Sequence, residues 1–591
     1  MRRAHYPGRM PAPEIVLTQR FQSAFAAAFG PEHAEADPII RPSQFADFQC
    51  NAAMGLAKRL GRKPRDIAAD ILAHVELSDI AEEPQIAGPG FLNIRLRTDW
   101  VAAQAAELAA DPRLGAPVPE RAETVVVDYS APNVAKEMHV GHLRTTVVGD
   151  SIVRTLEKLG HAVVRQNHIG DWGTPFGMLI EHLLEVGEDG PEAELLKTDP
   201  NAFYQAARAK FDGGGDFAER ARRRVATLQS GDAESLRIWT NLVDLSKQYF
   251  HRIYDMLDVT LTDEHLAGES TYNDQLESVC EDLEADGIAR ISDGALCVFP
   301  EGFTGRDEQP LPLIIRKSDG GYGYATTDLA AVRNRAVNLG VNRALYVVGT
   351  PQAMHFDMVF TVARAAGWLP ETFSPEHVKI GNVLGSDGKI LRTRSGAPLR
   401  LAELLEEAVT RAKATLSESS VDFEPAEADE VARIVGIGAV KYADLSVAHD
   451  TSYTFDLDRM LAPIGNTAPY LQYAGARIRS IGRKAEAEGV DASQVANAAI
   501  SLGESAEREL ALSILGFADV VAEVAAGSTP HRLCTYLFDL AQAFTSFYEQ
   551  CPVLIAETPE LRDSRLRLSA IVLEVLQAGL GVLGIRVPER M

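Results

Sequence analysis

Short β-branched runs alternate with stretches of helical apolar spacing through the middle of the chain. Thr124–Asp128 (TVVVD) is followed by a loop, then by Val147, Val148, Ile152, Val153, Leu156 and Leu159 at helical spacing, then by Gly160. That pattern predicts a helix from about Leu143, ended by a glycine cap. A second run, Ala162–Gln166 (AVVRQ), follows at once. Together they predict a βαβ crossover, right-handed in nearly all known sheets. A similar unit recurs at residues 344–350 (ALYVVGT), with a helix beginning near Met354. Parallel sheets of this kind bind ligands beyond the carboxyl ends of their strands. Asp128, Asn133, His139 and His142 are therefore expected at the ligand-binding edge.

The flanks read differently. Residues 15–96 show two helical stretches and a strand-like run, GFLNIRL, at 90–96. From about Pro425 onward the pattern is almost wholly helical. Residues 187–215 are rich in Gly and Asp and predict an exposed insertion. The expected division is residues 10–112 as an α+β domain, 118–425 as an α/β domain with insertions, and 426–591 as an all-α domain.

A chain of 591 residues, 46% hydrophobic and 24% charged, can bury a core in each of those parts. No uninterrupted apolar stretch approaches the roughly 20 residues that cross a bilayer. The basic N-terminus lacks the apolar segment of a secretory signal, so an unstructured leader is expected there. Cys50, Cys280, Cys297, Cys534 and Cys551 are odd in number and far apart. They predict neither a disulfide framework nor a zinc knuckle. The net charge of −25 argues against indiscriminate nucleic-acid binding but leaves room for a local basic track.

Residues 130–144, SAPNVAKEMHVGHLR, place His139, Val140, Gly141 and His142 at the turn from strand to helix. Free backbone N–H groups there face an anion. Gly141 lets a ribose or base approach the backbone. Two imidazoles can donate to phosphate oxygens as charge develops on them. A lone HxGH recurs by chance; the strand–loop–helix setting favours the nucleotide reading.

With these residues the segment resembles the HIGH motif of class I aminoacyl-tRNA synthetases, and the longer string resembles the arginyl members. Residues 167–177 (NHIGDWGTPFG), 320–330 (GGYGYATTDLA), 436–446 (GIGAVKYADLS) and 465–474 (GNTAPYLQYA) agree. The resemblance runs from 44–51 (QFADFQCN) to the closing LGIRVPERM. It implies a Rossmann-type catalytic domain between an N-terminal domain that touches the tRNA elbow and a C-terminal anticodon-binding domain. It implies that ATP is bound by the run Ala131, Pro132, Asn133, Val134, Ala135, Lys136, Glu137, Met138, His139, Val140, Gly141 and His142.

The second class I motif, KMSKS, is degenerate. Its counterpart is GSDGKILRTRSG at 385–396, with Thr393 where the second lysine would stand. Arginyl enzymes of this branch resemble one another in that loss and in carrying a lysine just before the HIGH motif, here Lys136. The resemblance thus implies catalytic roles for Lys136, His139, Gly141, His142, Lys389, Arg392 and Arg394. The alternative for each loop cation is a solvated surface charge.

Arginine recognition needs carboxylates that accept a forked guanidinium. Carried over by position, Asp128, Asn133, Tyr324, Asp328 and Gln352 would form the arginine site. Asp128 could instead cap its loop, Asp328 could be the N-cap of the helix after ATT, and Tyr324 and Gln352 could be packing and turn residues. His168 and Trp172 would line a crevice wall or simply shape a turn around Gly170 and Gly173. Pro175 stands where the family commonly has glutamine, so no role is assigned there. Tyr470, Gln472, Tyr473 and Arg477 combine stacking surface with charge, as readers of single-stranded RNA do. For any one of these tyrosines core packing is the alternative.

The implied reaction is activation of arginine by ATP, with Mg²⁺ on the phosphates, then transfer to the 3′ end of tRNA(Arg). Activation in this group is expected to require the tRNA. The implied enzyme is a cytoplasmic monomer with no tightly bound cofactor, no resident metal site and no membrane attachment. Two rivals remain in sequence: a tRNA-binding paralogue that has lost activation, and a small adenylyltransferase sharing the HxGH loop. Intact Asn133, His139, Gly141 and His142 oppose the first, and the long helical C-terminal third opposes the second. A cysteinyl enzyme would need a thiolate-rich site, and the large hydrophobic-residue enzymes an editing insertion.

Overall fold

A computed structural model describes residues 13–305, 308–392, 399–418 and 422–591. At the N-terminus, helices Pro13–Phe29, Ala52–Leu60 and Pro64–His74 pack on a small antiparallel sheet. Its strands are β1 (Ile40–Pro42), β2 (Phe48–Cys50), β3 (Gln85–Ala87) and β4 (Phe91–Ile94), in the order β1-β2-β4-β3. The run at 90–96 supplies β4. The other strands have three residues each, too few for an alternation to register in sequence.

The central sheet carries the site. β5 (Thr124–Asp128) and β6 (Ala162–Gln166) are joined by the crossover helix Val140–Leu159. An antiparallel trio, β7 (Ala289–Ser292), β8 (Ala295–Val298) and β9 (Leu313–Arg316), is inserted before β10 (Arg343–Gly349) and β11 (Ser374–Ile380). The main sheet is parallel, in the order β11-β10-β5-β6. Val125, Val126 and Val127 of β5 are wholly buried, as a strand covered on both faces must be. The helices leading to β6 and to β11 diverge from β5 and β10, so strand order reverses between those two. Ligand crevices of open α/β sheets lie at such a reversal. The register aligns Asp128 with Gln166 on one side and Tyr346 on the other.

The crossover helix begins at Val140 rather than near Leu143. It gains that extra turn because the HIGH segment caps itself, as described below. It ends at Gly160, whose φ of 95° only glycine adopts without strain.

The stretch 187–215 is not a solvated loop. It folds into helices Leu195–Thr198 and Pro200–Asp212, with Phe203 and Ala207 wholly buried. Scattered glycines obscured a short amphipathic helix whose apolar face needs a neighbour to become evident.

Just before the loop at 385–396, β12 (Val383–Leu384) pairs in parallel with β13 (Tyr453–Thr454). Otherwise the C-terminal third is helical, including Pro425–Leu445, Ala468–Ala487, Pro530–Gln550 and Pro559–Val582. Among the described residues one stretch, Ser505–Gly527, is long and apolar enough to cross a membrane, with mean hydropathy 1.8. Gly516 divides it into two helices, and Leu510, Ile514, Phe517 and Val521 are buried in the bundle.

Candidate active site

The loop between β5 and the crossover helix is backbone-strained. Ser130, Ala131 and Ala135 have φ of 73°, 48° and 58°, a left-handed region costing about 1–3 kcal/mol at each non-glycine residue. Neighbours over-determine it. Asn167 Oδ1 accepts from Ala131 N–H at 3.0 Å, and Ser246 Oγ from Ala135 N–H at 2.9 Å. Gly170 N–H donates to Pro132 O, and Val134 N–H to Gly170 O, each at 3.1 Å. A Cβ on Gly170 would collide with Asn133 Oδ1. The segment 167–177 is thus the partner against which the HIGH loop is zipped. Trp172 faces Trp239 edge-on at 5.6 Å, and His168 lies nearer the crevice.

The two histidines cap the helix reciprocally. His139 Nδ1 accepts from Gly141 N–H at 3.1 Å, and His142 Nδ1 accepts from His139 N–H at 3.1 Å. The rings lie 4.0 Å apart. Because each Nδ1 is an acceptor, the proton of each neutral ring sits on Nε2. Burial lowers the pKa of both, and nearby positive charge adds to it: Lys136 for His139, and His139 and Lys136 for His142, which is pushed down to about 3. The site therefore offers two neutral Nε2–H donors at a helix N-terminus, beside a lysine. A Cβ on Gly141 would lie 2.8 Å from His139 Cε1, so glycine is required for the cap.

Lys136 Nζ sits over the Tyr204 ring, 4.1 Å from its centroid. Asn201, on the same inserted helix, holds Glu137: its Oδ1 accepts Glu137 N–H at 3.1 Å and its amide donates to Glu137 Oε2 at 2.7 Å. The insertion is a wall of the site. Val140 N–H and Leu399 O, 3.1 Å apart, tie the helix start to the segment after the degenerate loop. Lys389 and Arg392 are exposed on that loop. Thr393 and Arg394 lie outside the described residues.

Across the crevice, the helix Tyr324–Arg333 begins at Gly323, so Asp328 lies inside it and is not an N-cap. Asp328 Oδ2 is 2.6 Å from His355 Nε2, and Oδ1 is 3.8 Å from His168 Nε2. Tyr324 is 68% exposed, with its ring edge-on to His355 at 4.9 Å, so it is not a packing residue. Gln352 is exposed where the helix Ala353–Ala365 starts, at the carboxyl end of β10. Asn133 is exposed on the HIGH loop.

Asp128 is held from within the protein. Its Oδ2 accepts from Arg335 Nη2 at 2.8 Å and its Oδ1 from His168 N–H at 3.3 Å. The internal guanidinium and the His168 N–H each take one acceptor site of this carboxylate. Single lone pairs remain for a ligand.

Sequence reasoning missed Glu269. It begins the turn after Gly268, accepts Trp172 N–H, and faces Asp328, Asp171 and His168. Burial raises its pKa to about 7, with Asp328 and Asp171 adding to the rise and His168 opposing it. An acid in a loop carries no periodic signal; only its neighbours distinguish it.

On the C-terminal helices the four expected RNA-facing residues separate. Gln472 is wholly buried and donates its amide to Ile434 O and Arg586 O, at 3.1 and 2.8 Å. It is a cross-link within the bundle and is corrected as an RNA contact. Tyr470 packs on Phe538, with its hydroxyl near Thr545. Tyr473 is half exposed, and Arg477 stacks on Tyr548 at 4.0 Å.

Three sequence families match the chain in tandem. Residues 16–96 match the arginyl tRNA synthetase N-terminal domain, 105–457 the catalytic domain of class I tRNA synthetases (R), and 471–591 the DALR anticodon binding domain. An arginine–tRNA ligase of Thermobifida fusca is 64% identical over 98% of this chain and all of its own length. One from Synechococcus is 49% identical over the same shares. Among solved structures, the arginyl-tRNA synthetase of Plasmodium falciparum is similar with a TM-score of 0.83 at 29% identity, covering 99% of this chain and all of that one. That of Thermus thermophilus follows at 0.81 and 26%, covering 98% of this chain and all of that one.

Proposed function

This chain belongs to the arginyl-tRNA synthetase family of class I, and from that membership we propose how its residues perform arginine–tRNA ligation. Arginine, ATP and tRNA(Arg) are its substrates. An oxygen of the arginine carboxylate attacks the α-phosphorus of ATP. The bond to the bridging oxygen breaks, and pyrophosphate leaves with the electron pair. The 3′-terminal ribose hydroxyl of the tRNA then attacks the activated carbonyl, and AMP departs.

The observation that carries this assignment is the reciprocal cap of His139 and His142. It leaves the Nε2–H of both rings free to donate at the N-terminus of a 20-residue helix that follows β5. Charge spreading over the α-phosphate is stabilised there without any proton transfer. Lys136 supplies the ammonium that stands at Thr393 in the usual motif, and Lys389, Arg392 and Arg394 are the further cations of the loop at 385–396. Mg²⁺ arrives with the ATP phosphates. Asp328, Tyr324 and Gln352 take the arginine side chain and backbone, with Asn133 and one lone pair of Asp128 on the facing side. Tyr473 and Arg477 contact the tRNA. No side chain serves as general base for transfer; positioning carries that step, with the phosphate of the adenylate near the hydroxyl.

The division into residues 10–112, 118–425 and 426–591, a monomeric state and a cytoplasmic location complete this reading. Exchange of pyrophosphate into ATP across the amino acids tests it. Arginine alone among them should support exchange, and only when tRNA(Arg) is present. Exchange with a different amino acid would overturn the substrate assignment.

A further inference from the structure

Arg335 takes no part in the chemistry above, yet it is a fully buried cation beside the site. It is 1% exposed and lies on a single π-helical turn, Asn334–Asn338, that prolongs the helix Tyr324–Arg333. Its Nε donates to Gln166 Oε1 at 2.6 Å and its Nη2 to Asp128 Oδ2 at 2.8 Å. Its guanidinium carbon lies 4.7 Å from the centroid of the Tyr346 ring. Asp128, Gln166 and Tyr346 are register partners on β5, β6 and β10. One side chain therefore ties the carboxyl ends of β5 and β6 to the middle of β10.

Stability alone is a weak reason for this arrangement. Apolar residues of similar volume commonly replace a buried ion pair without loss. Two features point to function instead. The pair lies at the switch point, where ligands bind, and the helix reaches it through a π turn, a device frequent at functional sites. The same helix presents Asp328 seven residues earlier, two turns away on the same face. Its first half thus supplies an acid to the pocket, and its extension fixes a second acid opposite.

We propose that Arg335 is a positioning residue of the arginine pocket that acts through Asp128. By holding Oδ2 it turns the carboxylate so that one lone pair faces a single N–H donor of the ligand, and a second guanidinium cannot straddle it. This rests on the reading of Asp128 as part of the pocket.

The test measures KM for arginine, KM for ATP and kcat of the full-length chain with tRNA(Arg). The variants are Asp128→Asn, Arg335→Met, Arg335→Lys and the double Asp128→Asn/Arg335→Met. Displacing a positioned group typically costs up to about 100-fold. Asp128→Asn and Arg335→Met should each raise KM for arginine about 10- to 100-fold and leave KM for ATP unmoved. The double variant should be no worse than the weaker single, and Arg335→Lys should recover part of the loss. A merely structural role would lower the active fraction, and so kcat, without selectively moving KM for arginine. If Arg335→Met does not fold, Gln166→Leu, which removes only the acceptor of Nε, should raise KM for arginine more modestly. A normal KM for arginine in that variant would then overturn the proposal. A normal KM in Arg335→Met beside an impaired Asp128→Asn overturns the role of Arg335 alone. A normal KM in Asp128→Asn removes Asp128 from the pocket, and the proposal with it.

Discussion

Arg144 and Asp444, 300 residues apart in the chain, form an ion pair with both side chains almost wholly buried, Nε to Oδ1 at 3.2 Å. Arg144 stands two residues after His142; Asp444 is on the helix Pro425–Leu445. Arg144 also donates to Thr451 O at 2.7 Å, and Tyr453 donates its hydroxyl to Asp444 Oδ2 at 3.1 Å. Tyr453 opens β13, which pairs with β12 at the root of the degenerate loop. One buried node therefore joins the start of the HIGH helix, the root of the loop and the C-terminal helices. Removing one partner strands the other charge, so Arg144→Ala should destabilise the protein by roughly 3–5 kcal/mol. Arg144→Met/Asp444→Leu should regain most of that. Urea unfolding of the single and double variants checks both.

The histidine cap makes a pH prediction. Burial lowers the pKa of His142 to about 3, from the ordinary imidazole value of 6.5. Between these values the unfolded chain binds a proton that the folded chain does not, so stability rises with pH. It is fully present above pH 6.5 and is lost as pH falls toward 3, by up to about 1.4 kcal/mol per pH unit. His142→Asn should flatten the slope of unfolding free energy between pH 5 and 6.5. An unchanged slope would show that His142 is protonated in the folded chain. Gly141→Ala, whose Cβ would meet His139 Nδ1 at 2.9 Å, should lower kcat about 10²-fold with little change in stability.

Asp328 is more exposed than Asp128 and contacts His355, with His168 3.8 Å away. A site built to pair a charged group rejects ligands that cannot satisfy it by roughly 10⁴. Asp328→Ala should raise KM for arginine at least about 10²-fold and erode selection against lysine, with KM for ATP nearly unchanged. Unchanged arginine kinetics would remove Asp328 from the site.

Glu269 should make arginine binding pH-dependent. Burial, with help from Asp328 and Asp171, holds its pKa near 7, so below that pH the empty site keeps a neutral acid. An arriving guanidinium favours the ionised form, so binding releases a proton and KM for arginine falls as pH rises from 6 to 8. Glu269→Gln should abolish that dependence. Calorimetric titration of arginine in buffers of different ionisation enthalpy would detect the released proton directly.

Lys136 rests on Tyr204 beside the cap. If its ammonium acts in the transition state, Lys136→Ala lowers kcat and kcat/KM together by about 10²–10³, with KM for ATP little moved. Thr393→Lys in that background should restore part of the rate by returning the lysine that the loop motif lacks. Near-normal turnover of Lys136→Ala would mean that the loop cations suffice.

The periodic elements were legible before the structure because burial on a sheet or helix repeats along the chain. TVVVD, the crossover helix and AVVRQ lie where their spacing predicts. The helix starts earlier than predicted because its first turn is made by side-chain caps, which have no hydrophobic period. The inserted helix at Pro200–Asp212 was hidden for a related reason. It is short, glycine-flanked and apolar only where Phe203 and Ala207 meet their neighbours.

By itself the sequence determined the parallel sheet, the position of the HIGH segment and, through resemblance, the family. These depend on local order: residue type at fixed spacing. Tertiary structure alone decided which charges remain available. Asp128 and Asp328 look equivalent as letters, but Arg335, 207 residues beyond Asp128, pairs with the first, and His355 with the second. Gln472 reads as a polar, RNA-facing residue until Ile434 and Arg586 take its amide in the core. Glu269 becomes noteworthy only when folding gathers Asp171 and Asp328 around it. Charge compensation and desolvation depend on distances through space, and a linear pattern does not encode which distant partner will arrive.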